Sequence, residues 1–208
     1  MIAITVSTNY HDLLPIIYHH NKDLFKHWVF VTDKNDQETI NFLSTKPNVT
    51  ILFWDFQNHR NIFDKGGAIR YAQTYVYEKY PDDWYLLIDS DICLPMQFSH
   101  FTAVFLPTYD VNLIYGLDER LDFESLEDFQ NYTNYKKYEH KERVDGYFQL
   151  YKDKFFYNTS RDASNCDNEF AQRFPGRNLI LGLPCAHLGS KSNWNGKREL
   201  GTDFKLWC

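Results

Sequence analysis

Along the 208-residue chain, apolar and polar positions alternate between strand-like and helix-like spacing. Ile2 to Ser7 is a short β-branched apolar run and reads as a strand. Asp12 to Lys26 then has a helical pattern. Trp28 to Thr32 reads as a second strand ending at Asp33, Asp36 to Ser44 as a helix, and Val49 to Phe56 as a third strand. This rhythm predicts a parallel sheet with right-handed crossovers.

The next helix is better marked. Ala68, Ile69, Ala72, Tyr75 and Val76 share one face at helical spacing. Gly66 and Gly67 just before them permit tight backbone geometry. Trp84 to Ile88 is apolar throughout, as expected of a central strand buried on both faces, and it stops at Asp89. Asp110 to Tyr115 predicts a further strand, closed by Gly116. From Leu117 to Arg143 the pattern fades into polar, charged, Tyr-dotted sequence with weak helical character. Val144 to Tyr151 reads as a strand, Ala163 to Phe174 as a helix and Asn178 to Leu181 as a short strand. The tail from Pro184 reads as loop. With no repeat or linker, one α/β domain over residues 1–208 is expected.

Composition narrows this little. Hydrophobic residues make up 43% and charged residues 24%, ordinary for a globular chain. Aromatics reach 18%, with 15 Tyr and 17 Phe. Such side chains suit pockets for sugars and bases, and they equally suit a core. The net charge of −6 without a basic stripe argues against nucleic-acid binding. Cys93, Cys166, Cys185 and Cys208 form no paired motif and read as reduced thiols. The start lacks the features of a signal peptide, and no run approaches the roughly 18 apolar residues of a membrane span. A cytoplasmic protein without a transmembrane segment is therefore expected. Whether the chain is complete or a piece of a longer one stays open.

The sharpest chemical signal is Asp89-Ser90-Asp91. Two carboxylates two residues apart repel unless a cation lies near them. A hard divalent ion takes oxygen ligands and keeps positions open for phosphate. The plainer alternative is a strand end with two solvated aspartates.

Tyr85-Leu86-Leu87-Ile88-Asp89-Ser90-Asp91-Ile92-Cys93-Leu94-Pro95 resembles the DxD segment of GT-A glycosyltransferases. Ile4 to Asn9 resembles the family's first strand and nucleotide-contacting turn, which brings in Thr8 and Asn9. Val31-Thr32-Asp33 is similar to the second-strand end, where an acid meets base or ribose. Phe63 to Arg70 resembles the helix start near the nucleotide, with Lys65, Gly67 and Arg70. Gly146 to Leu150, carrying Tyr147 and Gln149, resembles the strand lining the acceptor side. The resemblance implies a Rossmann-like mixed central sheet flanked by helices. Residues 1–91 would form the nucleotide-sugar half. Residues 92–208 would form the acceptor half and a C-terminal metal and diphosphate loop.

It also implies an activity. A hexosyltransferase-type enzyme would move sugar from a UDP- or GDP-type nucleotide sugar to a hydroxyl of a glycan, lipid-linked or protein acceptor. Mn²⁺ or Mg²⁺ would be held by Asp91, His187 and Asp89, the last through water, with Ser90 beside the donor. Asp167 and Glu169 open a helix, where acids complement the dipole in any case. The resemblance assigns one of them, Asp167 ahead of Glu169, as the catalytic base of an inverting transfer. His187 in a His-Leu-Gly loop resembles the C-terminal histidine that completes some metal shells; a structural histidine is the alternative. Lys191, with Lys197 and Arg198, would clamp the diphosphate. Trp194, and more weakly Tyr132, Tyr135 and Tyr138, would offer stacking faces to sugar.

Two rivals stay in view. One is a binding module of the same fold without turnover. The other is a phosphatase of the haloacid-dehalogenase type. That family carries its Asp-x-Asp on the first strand, whereas about 88 residues of α/β pattern precede it here.

Overall fold

The computed structural model describes residues 1–56, 63–108, 110–139, 146–159, 163–175 and 178–189. Strand β1 (Ile2–Val6) lies between β2 (His27–Thr32) and β4 (Tyr85–Ile88), and β3 (Val49–Phe53) flanks β2. All four run parallel. Helices α1 (Leu14–Asn21), α2 (Gln37–Leu43) and α3 (Lys65–Lys79) make the crossovers.

Beyond β4 the sheet becomes mixed. Strand β8 (Phe148–Tyr151) is antiparallel to β4, and β6 (Leu113–Phe123) is antiparallel to β8. Strand β9 (Asn178–Leu188) runs parallel to β6, and the two-residue β5 (Ile92–Cys93) caps the edge antiparallel to β9. The order is β3-β2-β1-β4-β8-β6-β9-β5, and β7 (Lys136–Glu139) pairs with β6 outside it. Three further α-helices, α4 (Phe98–Phe105), α5 (Leu126–Asn131) and α6 (Ala163–Ala171), and a 3₁₀ turn at Lys22–Leu24 are also described.

Strand alternation sends side chains to two apolar layers. Ala3, Trp28, Phe30, Leu86 and Ile88 join Leu13, Leu14 and Ile17 on one face. Ile2, Ile4, Val29, Tyr85 and Leu87 join Ala68, Ile69, Ala72 and Val76 of α3 and Phe170 of α6 on the other. Every side chain of β4 is buried, as its unbroken apolar run requires. Burying one such Leu or Ile stabilises the fold by about 1.5–3 kcal/mol. Asp36 and Asp64 start α2 and α3 by accepting from the backbone N–H of Thr39 and Gly67.

The structure corrects several sequence-based boundaries. Gly66 and Gly67 lie inside the first turn of α3 rather than before it. The strand expected to close at Gly116 starts at Leu113 and continues to Phe123. Its outer half is polar because it pairs with the exposed β7 and reaches the site described below. The short strand expected at Asn178–Leu181 runs on to Leu188, through the stretch read as loop from Pro184. It lies between β6 and β5, and pairing on both sides overrides the Gly182 and Pro184 break signals. Strand β5 and helix α4 were not expected from the pattern.

Candidate functional site

Asp89 and Asp91 leave β4 at the carboxyl end of the parallel strands, where open α/β sheets bind ligands. Backbone and buried polar groups hold this turn. The Asp89 N–H donates to the Tyr147 carbonyl at 3.1 Å, and the buried Ser90 hydroxyl donates to the Val6 carbonyl at 3.3 Å. Asn21, fully buried at the end of α1, donates from Nδ2 to the Ile92 carbonyl at 2.8 Å and accepts from the Leu94 N–H at 3.0 Å. The Leu188 N–H donates to the Asp91 carbonyl at 2.8 Å. Buried polar groups used in full make a rigid mount.

Lys65, the first residue of α3, links two of the predicted acids. Its Nζ donates to Asp89 Oδ1 at 3.0 Å and lies 3.9 Å from Asp167 Oδ2. Burial pulls the ammonium down, but Asp167 and Asp89 more than reverse this and hold it well above its ordinary range. Asp89 is pushed up to about 6, first by burial. Lys65 opposes the shift, while the Asp91 and Asp167 charges add to it.

Asp167 is 4% exposed and is seated from three sides. The Tyr157 hydroxyl is 2.9 Å from its Oδ1, Gln149 Nε2 donates to its backbone carbonyl at 3.0 Å, and Lys65 faces its Oδ2. Gly146 lies under the carboxylate so closely that a methyl group there would overlap it. Of the two candidate bases, Asp167 is the one brought to the acid pair. Glu169 accepts from Asn158 Nδ2 at 3.0 Å.

His187, near the end of β9, faces Asp91 across the β9–β5 pairing. Its Nε2 is 3.5 Å from Asp91 Oδ2, and its Nδ1 is 3.1 Å from Asp122 Oδ1. Burial lowers the imidazole's affinity for a proton, but Asp91 and Asp122 raise its pKa to about 9. Two ligands of one octahedral cation with bonds of about 2.1 Å sit roughly 3 Å apart. The Asp91–His187 separation of 3.5 Å is somewhat longer than that. Asp89 instead turns to Lys65. Among the described residues, no three His, Cys, Asp or Glu side chains converge as a complete cage.

Thr8, Asn9 and Asp33, expected on the nucleotide side, line one open cleft with Asn35, Asp36, Phe56 and Phe63. Asn9 takes the left-handed conformation (φ 61°), and its N–H donates to Asp36 Oδ2 at 2.8 Å. Asn tolerates that conformation better than most residues. Phe63, half-buried at the cleft, stacks at 4.8 Å on Phe56, which is buried in the core beneath it.

Other predicted positions fall elsewhere. The Gly67 N–H is used by Asp64 Oδ1 at 2.8 Å, as a helix cap. Arg70 is exposed, with its guanidinium 5.4 Å from the Phe156 ring. Tyr147 and Gln149, expected on the acceptor surface, are buried. The Tyr147 hydroxyl bonds the backbone of Leu117, and Gln149 braces Asp167 and Tyr157, so both side chains support the site from behind. Tyr132, Tyr135 and Tyr138 are exposed. Lys191, Trp194, Lys197 and Arg198 lie outside the described residues.

Sequence reasoning missed Asp122, Arg120, Tyr157, Phe56 and Phe63. The spacing of Arg120 and Asp122, two apart on an unrecognised strand, is the one signal that places both on one face.

No family model matches the chain, and no curated protein matches its sequence. Its fold is shared with solved structures. S. aureus TarS 1–349 matches with a TM-score of 0.61 at 11% identity, over 90% of this chain and 60% of that one. The same TarS fragment in complex with UDP-GlcNAc matches with a TM-score of 0.61 at 11% identity, over 96% and 61%. The chain thus spans about 60% of the TarS chain. At this identity the likeness is one of fold: a GT-A-like α/β domain with a mixed sheet flanked by helices. No helix among the described residues is long and apolar enough to cross a membrane.

Proposed function

We propose that this chain is a metal-dependent glycosyltransferase that moves sugar from a nucleoside-diphosphate sugar to an acceptor hydroxyl, with inversion. One observation carries the reading. A cleft lined by Thr8, Asn9 and Asp33, an acid pair and a seated carboxylate, Asp167, occupy one end of a GT-A-like sheet. The TarS fragment of this fold binds UDP-GlcNAc, which supports a nucleotide sugar as donor.

The chain's own groups divide the work. Phe63 and the polar atoms of Thr8, Asn9 and Asp33 suit a flat base and a ribose. Asp91 and His187 would hold a divalent cation, Mn²⁺ being favoured over Mg²⁺ by the imidazole, and Asp89, bonded to Lys65, would flank it. When bound, the cation supplies Lewis acidity to the departing diphosphate. Asp167 takes the proton of the acceptor hydroxyl as that oxygen bonds to the anomeric carbon and the bond to the diphosphate oxygen breaks. Lys65 sets its ammonium between Asp89 and Asp167 and so holds the two carboxylates near each other.

A panel of UDP-, GDP- and dTDP-sugars with Mn²⁺ tests the reading. Release of nucleoside diphosphate from one donor, stimulated by an acceptor, is the expected result. Tight nucleotide binding without turnover on any donor would instead mark a binding module.

A further inference from the structure

Asp122 is given no role above, yet its carboxylate is buried and held on two sides beside the site. It is 8% exposed. Arg120 grips it as a fork, Nε donating to Oδ1 at 2.8 Å and Nη2 to Oδ2 at 3.3 Å. Its Oδ1 also meets His187 Nδ1 at 3.1 Å. Strand register builds this contact: Asp122 is paired with His187 across β6 and β9, and His187 with Ile92, the residue after Asp91, across β9 and β5.

A carboxylate clamped by a guanidinium is an acceptor only. The Nδ1 it faces must therefore carry the proton, and Nε2 is directed to the Asp91 side of the ring. Arg120 is itself backed by aromatic faces, 5.2 Å from the Tyr138 ring and 5.8 Å from the Tyr147 ring. The Tyr147 hydroxyl is tied to the Leu117 backbone. The grip on the imidazole is thus anchored in the core.

We propose that Asp122, held by Arg120, is the positioning residue that fixes the His187 ring so that Nε2 faces a divalent cation shared with Asp91. The inference rests on the reading of Asp91 and His187 as cation ligands. Removing such an outer partner typically weakens metal binding about 10–100-fold.

The test is Mn²⁺ binding to donor-free protein, followed by the EPR signal of free Mn²⁺, with thermal melts run beside it. Asp122→Asn is expected to lower Mn²⁺ affinity by about 10-fold or more. Arg120→Gln, which leaves the Asp122–His187 contact in place, is expected to lower it by a smaller factor and serves if Asp122→Asn does not fold. A merely structural ion pair would lower the melting temperature and leave Mn²⁺ affinity unchanged, and that result overturns the proposal. If wild-type protein binds no Mn²⁺, or His187→Ala binds it as well as wild type, the underlying ligand reading fails as well.

Discussion

The Tyr157 hydroxyl lies 2.9 Å from Oδ1 of Asp167, inside the protein. It is also 2.7 Å from Oε1 of Gln149, whose Nε2 is committed to the Asp167 carbonyl. One phenolic proton therefore serves two acceptors. Burial, with the Asp167 charge adding to it, holds the phenol well above its usual range, so it remains a donor at working pH. Tyr157→Phe removes a hydrogen-bond donor that seats this carboxylate. Leaving a buried group without its hydrogen bond costs about 1–3 kcal/mol, or roughly 10–100-fold in rate if it is all lost from the transition state. kcat is expected to fall by about that factor, with nucleotide affinity unchanged. A kcat identical to wild type would remove Tyr157 from the mechanism.

Gly146→Ala places a methyl group where the Asp167 carboxylate lies. The side chain must shift, and a displacement near 1 Å at a reacting group can cost about 10²-fold. Transfer is expected to fall by that order while nucleotide affinity holds, with about 1–3 kcal/mol of overpacking cost. Steady-state kinetics with a nucleotide titration checks this. Wild-type kcat would show that Asp167 has room the structure does not show.

Lys65→Met leaves Asp89 and Asp167 without the cation between them. Breaking a wholly buried pair costs about 3–5 kcal/mol. The Asp89 side chain is 37% exposed, so solvent reduces the expected loss to roughly 1–3 kcal/mol. Urea unfolding at neutral pH measures it. An unchanged midpoint would mean that Lys65 contributes nothing net to the fold.

The His187 imidazole gives metal-free protein a pH dependence. Burial works against its protonation, yet Asp91 and Asp122 raise its pKa from 6.5 to about 9. A raised folded pKa means that the stabilisation is complete below the unfolded value and lost as pH rises through the folded one. In EDTA, the melting temperature is expected to decline between pH 6.5 and about 9. His187→Gln should be flatter over that window. Parallel curves for the two proteins would contradict the assignment.

How much of this was legible in the sequence depended on which side of each strand meets solvent. The parallel half was readable because β4 is buried on both faces and its apolar run ends at Asp89. The second half of β6 was not. Its residues from Asp118 to Arg120 are exposed or half-buried, and its partner β7 is exposed throughout, so no apolar alternation marks it. Asp122 was hidden with it. The end of β9 was obscured by Gly182 and Pro184, whose break signals lost to pairing with β5 and β6. Asp167 and Glu169 were expected at a helix start, with Asp167 ahead, but α6 begins at Ala163 and neither lies in its first turn; the long-range approach of Lys65, Gly146 and Tyr157 is what distinguishes Asp167. Gln149 sits on β8, which does reach the site, and Tyr147 in the turn just before it, but their side chains turn inward.

The central claim is that Asp167 is the base of a sugar transfer from a nucleotide donor. The most direct measurement compares wild type with Asp167→Asn on the donor that the nucleotide-sugar panel identifies, recording donor affinity and transfer rate together. The account predicts unchanged donor affinity and a transfer rate lower by about 10²–10⁴-fold. Transfer at the wild-type rate in Asp167→Asn would contradict it.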